Sequence, residues 1–425
     1  MMVTQKQLKV SLLVWNLSTN DGFIRAYLLQ KALIRLGYEV EIVGFLFGDE
    51  LYKAIPPEVK VYAVKGCNYP AIFKSIYSIL KKINGDIIYA IKPQAASFGV
   101  ALLKKLYSKK PVILDIDDWE LSWHGGDEWQ YKPTVKQLAR DLLKPDGALR
   151  SPNHPLYVKW MEKLVSCADA VTVHNKFLQQ RFGGTFIPNG KDTVLFDPSR
   201  YNPEASRIRY GLSEYKILMF PGAPRPYKGL EDVLIALDKI NQPDLRLVIV
   251  GGSPYDDYDK QLQQKWGRWI IKLPSYPADI MPDVVAAAHI VVVPQRDTLE
   301  TRAQFPLKLT DGMSMSKPVL STRVGDIPEI LDGTGYLVEP ASPEQIGEQI
   351  QLIFDDLELA NERGRKSRER CVKKYSIEAM AANLKSVISQ AEILNSKDQD
   401  ILRDFQGADF DKTLWGVHPK ISGVK

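Results

Sequence analysis

The sequence predicts an α/β protein of two doubly wound domains facing a cleft, and three observations carry that prediction. Apolar runs rich in β-branched residues alternate with segments of helical period, the mark of βαβ units and a parallel sheet. The alternation stops at the polar stretch DPSRYNPEAS (197–206) and then begins again. At 425 residues the chain is too long for one ordinary core and suits two domains of about 200 residues each.

The strands of the first half are LKVSLLV (8–14), YEVEIVGF (38–45), DIIYAI (86–91), PVILDI (111–116), ADAVTV (168–173) and TFIP (185–188). Between them FIRAYLLQKALIRLG (23–37) and AASFGVALLKKLY (95–107) repeat their apolar residues at helical spacing. The second set is YKILMF (215–220), LRLVIVGG (245–252), RWIIKL (268–273), HIVVVP (289–294), KPVLS (317–321) and GYLVEP (335–340), again with helices between. From residue 342 the pattern is helical, and residues 397–425 lose it, leaving isolated Phe410 and Trp415 in a tail. The expected units are 1–200, 201–375, and 376–425 as a helix crossing back to the first domain plus that tail. In such sheets ligands bind beyond the carboxyl ends of the strands, so the cleft is where chemistry is expected.

Composition narrows the function. With 45% hydrophobic and 25% charged residues the chain is ordinary globular, and no apolar run approaches the roughly 20 residues that span a bilayer. The apolar stretch near the N-terminus has no small-residue cleavage pattern and reads as a first strand. Three dispersed cysteines, Cys67, Cys167 and Cys371, favour neither a disulfide framework nor a thiolate metal site, which fits a cytoplasmic protein. Residues 1–200 hold 27 Lys and Arg against 19 Asp and Glu, so this half carries +8 of a total of +5. Its basic surface is either solvated or turned toward something anionic, such as the inner face of a membrane. No nucleic-acid motif accompanies the charge. The histidines at 124, 154, 174, 289 and 418 have no ligand spacing, so no metal site is expected.

Two stretches carry chemistry. FPGAPRPYKGLEDVLIALDKI (220–240) runs from a strand end through Gly222, Arg225 and Lys228 into a helix. Two cations beside free helix N–H groups suit an anion such as phosphate, but the spacing is neither a Walker loop nor G-x-G-x-x-G. FPLKLTDGMSMSKPVLSTRVGDIPEIL (305–331) starts a helix at Pro306, with Lys308 and Asp311 on one face. That helix start can receive a diphosphate, Lys308 can add charge, and Asp311 can accept two ribose hydroxyls. Without a ligand the same pair would be an exposed ion pair worth about 0.3–0.5 kcal/mol.

In order and spacing these stretches resemble glycosyltransferase family 4, the retaining nucleotide-sugar transferases of GT-B fold, whose two domains are Rossmann-like. FIPNGKDTVLF (186–196) is similar to the family's Pro-Asn-Gly interdomain segment, and DGFIRAYLLQKALIRLGYEVEIV to its first loop and helix. The resemblance implies an acceptor-binding first domain and a nucleotide-sugar-binding second one. It implies that Arg225 and Lys228 act on the donor diphosphate, and that Gly22, Gly222, Gln304, Phe305, Pro306, Leu307, Lys308 and Asp311 hold the donor. Tyr276 would lie near the base, UDP or GDP being the first choices. It implies a hexosyltransferase in glycan, glycolipid or exopolysaccharide synthesis, with no cofactor and no bound divalent ion.

Two departures stand out. Asp311 replaces the second Glu of the family's Glu, seven residues, Glu motif, and the first falls at Ala303, leaving Glu300, Gln304 or backbone amides as substitutes. In ILDIDDWELSWHGGDEW (113–129) the family's His-Asp becomes Asp117-Asp118. Asp117 is assigned to catalysis, and Asp118, Trp119, Trp123 and His124 to a glycan, lipid-linked or small-molecule acceptor. The acidic residues here can also brace the loop through backbone N–H groups. A nucleotide-sugar epimerase and a non-catalytic partner subunit are the alternatives to a transferase.

Overall fold

The structure, a computed structural model, describes residues 7–253 and 256–407. The tail with Phe410 and Trp415 lies outside the described residues. β1 (Lys9–Val14), β2 (Glu39–Leu46), β3 (Val61–Lys65), β4 (Ile87–Ile91), β5 (Val112–Ile116), β6 (Ala170–Val173) and β7 (Thr185–Phe186) form one parallel sheet in the order β3-β2-β1-β4-β5-β6-β7. β8 (Lys216–Phe220), β9 (Leu245–Val250), β10 (Ile270–Leu273), β11 (Ile290–Val293), β12 (Val319–Thr322) and β13 (Tyr336–Val338) form a second, also parallel, in the order β10-β9-β8-β11-β12-β13. In each sheet the order reverses beside the first strand, between β1 and β4 and between β8 and β11, which opens a crevice at the strands' carboxyl ends.

The central strands are continuous apolar runs because helices cover both faces; every residue of β4, β5 and β11 is buried. The sequence reading missed β3. Although four of its five residues are apolar, VYAVK sits at the sheet edge with its side chains half-exposed and shows no buried face.

The helix Phe23–Arg35 buries Phe23, Ala26, Leu29 and Leu33, one stripe at helical spacing, against β1, β2 and β4. The helix Ile377–Gly407 lays Met380, Leu384, Val387 and Ile388 into that same core, so the chain ends its described course on the first domain. Tyr38 donates to Glu392 across this contact at 2.6 Å. The two crossings between domains run side by side: Lys191 N–H donates to Tyr375 at 2.6 Å, and Ile377 N–H to Lys191 at 3.0 Å. A Cβ on Gly190 would stand 3.0 Å from the Ile377 Cα, and this closeness accounts for the glycine of Pro-Asn-Gly.

A buried ion pair ties these parts together. Arg25 donates through Nε and Nη2 to both oxygens of Asp115 at 2.8 Å, through Nη1 to Asn189 at 2.9 Å, and to the Ile187 carbonyl at 2.8 Å. Thr172 on β6 donates to the same carboxylate at 2.7 Å. Arg25 is 2% exposed and Asp115 fully buried. Removing one partner would leave the other charge buried and uncompensated. Asp115→Ala is therefore expected to lower unfolding stability by about 3–5 kcal/mol, read as a shifted urea midpoint.

Candidate active site

Between the carboxyl ends of the two sheets lies a cleft of about 1100 Å³. The first domain lines it with the loop after β1, Lys92 after β4, Asp117 and Asp118 after β5, and His174 after β6. The second contributes residues 223–228 after β8, Gly252 and Ser275 after β9 and β10, and residues 304–308 after β11.

The second-domain wall is cationic. Gly229 has φ +70°, and a Cβ there would lie 1.9 Å from the Pro294 carbonyl oxygen, so only glycine lets the loop turn this tightly. The turn sets Lys228 inward, where its Nζ donates to the Gln304 Oε1 at 2.7 Å. Arg225 reaches Asp256 at 3.3 Å. Lys308 crosses Gly222, where a Cβ would lie 2.4 Å from the Lys308 Cε. Burial, then the nearby charges of Lys308 and Arg225, push the Lys228 ammonium well below its ordinary range, with Asp118 opposing. Burial also lowers Lys308, against the pull of Asp311. The helix Leu307–Ser314 begins between these lysines with its first N–H groups unpaired within the helix. A compact anion of more than one charge satisfies all of them together.

The first-domain wall is acidic and built around Lys92, which the sequence reading did not single out. Lys92 is 3% exposed, has φ +69°, and bonds Asp21 at 2.5 Å and Glu120 at 2.6 Å. Burial would lower it, but Asp21, Glu120, Asp117 and Asp118 hold it well above its usual value. Asp117 and Asp118 are each pushed up to about 7, chiefly by burial, while Lys92 opposes the shift. Asp118 accepts from Trp119 N–H at 2.8 Å and from the Trp123 indole at 3.1 Å. The Asp117 Oδ1 is buried without a hydrogen-bond partner.

His174 was also missed. Ile116 pairs with Val173, so Asp117 and His174 follow at adjacent register positions on β5 and β6. His174 is 2% exposed, and neither ring nitrogen has a partner. Burial, then Arg25 and Lys92, keep the ring neutral by lowering it well below its ordinary range. No spacing rule could have found it, because its signal is an unsatisfied buried ring at a strand end.

Of the residues named from sequence, Gly22, Arg225, Lys228, Asp117, Asp118, Trp123, Gln304, Phe305, Pro306, Leu307 and Lys308 line the cleft together. Trp123 meets Tyr227 of the other domain edge-on at 5.5 Å. Five placements differ from expectation. Gly222 lies beneath Lys308 and serves the wall indirectly, by leaving room for that side chain. Trp119 is 3% exposed, packed on Phe177 with the Arg181 guanidinium 4.0 Å over its ring, and is a core residue. His124 is exposed at the end of a short turn and does not line the cleft. Tyr276 packs edge-on against Tyr210 at 5.6 Å, next to Ser275 of the wall but not itself part of the lining. Asp311 is set back from the wall and bonded to Lys191 of the Pro-Asn-Gly segment. Ala303 is fully buried among first-domain core residues, so Gln304 is the side chain that the loop presents instead.

Residues 215–356 match the family model described as Glycosyl transferases group 1. The chain is 25% identical over 389 residues to N-acetyl-alpha-D-glucosaminyl L-malate synthase of Bacillus anthracis, covering 88% of this chain and 93% of that protein. It is 24% identical to the sulfoquinovosyl transferase of Arabidopsis thaliana, over 74% of this chain and 59% of that one. Among solved structures, HepE of Anabaena in complex with UDP and glucose superposes with a TM-score of 0.70 at 17% identity, over 90% of this chain and all of that one. Sucrose-phosphate synthase of Thermosynechococcus elongatus superposes with a TM-score of 0.68 at 18% identity, over 90% of this chain and 99% of that one. These two likenesses establish the two-domain fold.

The raised carboxyls have a consequence for stability. Asp117 stays protonated in the fold up to about pH 7 but ionises near its ordinary 3.8 once unfolded. Between those values the unfolded chain binds fewer protons, so stability falls as pH rises across the window. Asp117→Asn removes that loss. Its melting temperature relative to the parent is expected to climb between about pH 4 and pH 7, measured by thermal denaturation across pH.

Proposed function

We propose, from the match of residues 215–356 to the model described as Glycosyl transferases group 1, that this chain is a retaining, metal-independent hexosyltransferase using a nucleoside-diphosphate sugar and a hydroxyl acceptor. The observation that carries the reading is the meeting of Arg225, Lys228, Lys308 and the start of the helix Leu307–Ser314 on one wall of the cleft. Negative charge grows on the diphosphate as the bond from the anomeric carbon to phosphate oxygen breaks. Cations and amides already fixed there stabilise that charge without rearranging.

The acceptor oxygen attacks the anomeric carbon from the face the diphosphate leaves, and a phosphate oxygen takes its proton. The configuration is retained, and the protein supplies position and charge. The opposite wall, with Asp117 and His174, faces the transferred sugar. A neutral imidazole offers one N–H and one lone pair, which suits a sugar hydroxyl.

UDP and GDP are the proposed donor nucleotides; the UDP complex of HepE supports the first by fold alone. The acceptor is a glycan, a lipid-linked glycan or a small molecule. A cytoplasmic enzyme that touches the inner membrane face through its basic first domain is part of this reading. The curated relatives named above are a synthase and a transferase, which disfavours an epimerase.

Arg225→Ala and Lys228→Ala are each expected to lower turnover at least about a hundredfold, near 3 kcal/mol of transition-state stabilisation, with the fold intact by circular dichroism. Near-normal turnover at saturating donor would remove that residue from the mechanism. The anomeric configuration of the product, read by NMR against that of the donor, tests retention directly.

A further inference from the structure

The helix Val135–Leu143 faces the wrong way for a soluble surface. Asp141 is its one buried residue, while Val135 is 87% exposed, Leu138 39%, Leu142 53% and Leu143 78%. At 100° per residue these four fall within an arc of about 140°, the width of a stripe that normally packs on a core. Lys136, Arg140 and Lys144 follow along the adjoining side at intervals of four residues. The Tyr131 hydroxyl donates to Asp141 at 2.7 Å and fastens the opposite side to the domain, so the apolar stripe is held outward.

The neighbouring surface continues the pattern. Trp160 is 50% exposed and Phe73 61%. A row of ring contacts joins them through Tyr157 and Tyr69, with centroids 5.4–5.5 Å apart. His154 links Tyr157 to Tyr131 at the base of the helix. Residues 69–82 and 130–164 carry ten Lys and Arg against three Asp and Glu. Of those three acids, Asp141 is buried and Glu162 nearly so, leaving Asp146, which pairs with Arg140. Exposed aliphatic side chains, amphipathic rings and an excess of cations together are the chemistry of an interface with anionic lipid.

We propose that the helix Val135–Leu143, with Phe73 and Trp160, docks the first domain on an anionic lipid bilayer. Leu142 and Leu143 enter the acyl boundary, the aromatic rings lie at headgroup level, and Lys136, Arg140 and Lys144 meet the phosphates. This deepens the membrane contact of the transferase reading and rests on that reading only for its bearing on the acceptor. The face lies on the same domain as the Trp123 wall.

The test is co-flotation of the full chain with vesicles of phosphatidylcholine alone or of phosphatidylcholine mixed with phosphatidylglycerol. The protein should float with the mixed vesicles, stay behind with the neutral ones, and be released by salt. Lys136→Glu with Arg140→Glu should lower partitioning at least about tenfold, and Leu142→Ser with Leu143→Ser should do the same. Both variants change exposed side chains, and an unchanged melting temperature checks that each is folded. Absence of flotation, equal flotation with neutral vesicles, or unchanged flotation of the variants overturns the proposal. A dimer that the same substitutions dissolve, without vesicle binding, assigns the face to a second copy and also overturns it. A thermal shift with UDP or GDP reports on the transferase reading separately, so each can fail alone.

Discussion

Positive charge held beside positive charge on the wall of a cleft is the constraint on which the rest of this molecule turns. Lys228 and Lys308 are both lowered by burial, and Lys228 is lowered further by Lys308 and Arg225. Hydrophobic packing has no use for such a cluster, and moving one cation to the surface would relieve it. The fold instead spends two glycines on keeping it. Gly229 turns the loop under Pro294, and Gly222 leaves the lane in which Lys308 lies. The cost is sensible only if a polyanion shares the site during the working cycle.

The acidic wall opposite solves a matching problem in another way. Lys92 sits in a left-handed backbone conformation and gathers Asp21 and Glu120, while Asp117 and Asp118 are driven toward neutrality by burial. Beneath them the Arg25–Asp115 pair fixes β5, β6 and the interdomain crossing in one network. The two walls are thus set by different elements, one by loops after β8 and β11 and the other by strand ends braced from below. The paired crossings at Lys191 and Ile377 are the joint between them.

Much of this was legible in the sequence. The βαβ alternation and its restart near residue 200 gave twelve of the strands, because buried parallel strands are nearly all apolar. β3 was missed because an edge strand is half-exposed. Arg225, Lys228 and Lys308 were readable because cations at strand-to-helix turns have a chemical reason to be there. Trp119 and Tyr276 were misplaced because an aromatic ring near a motif looks the same whether it packs inward or lines a cleft. Lys92, His174 and Arg25 were illegible for a different reason: the groups that surround them lie on segments distant in sequence, and His174 has no partner on either ring nitrogen, so only the folded arrangement brings them into view.

The central claim, that the cation wall seats a nucleoside diphosphate, is tested most directly by calorimetric titration of UDP and GDP into the protein with and without EDTA. One of the two should bind, the binding should survive EDTA, and Lys228→Met should weaken it at least about tenfold. Binding of neither nucleotide, binding lost with EDTA, or unchanged binding to the Lys228→Met variant would contradict the account.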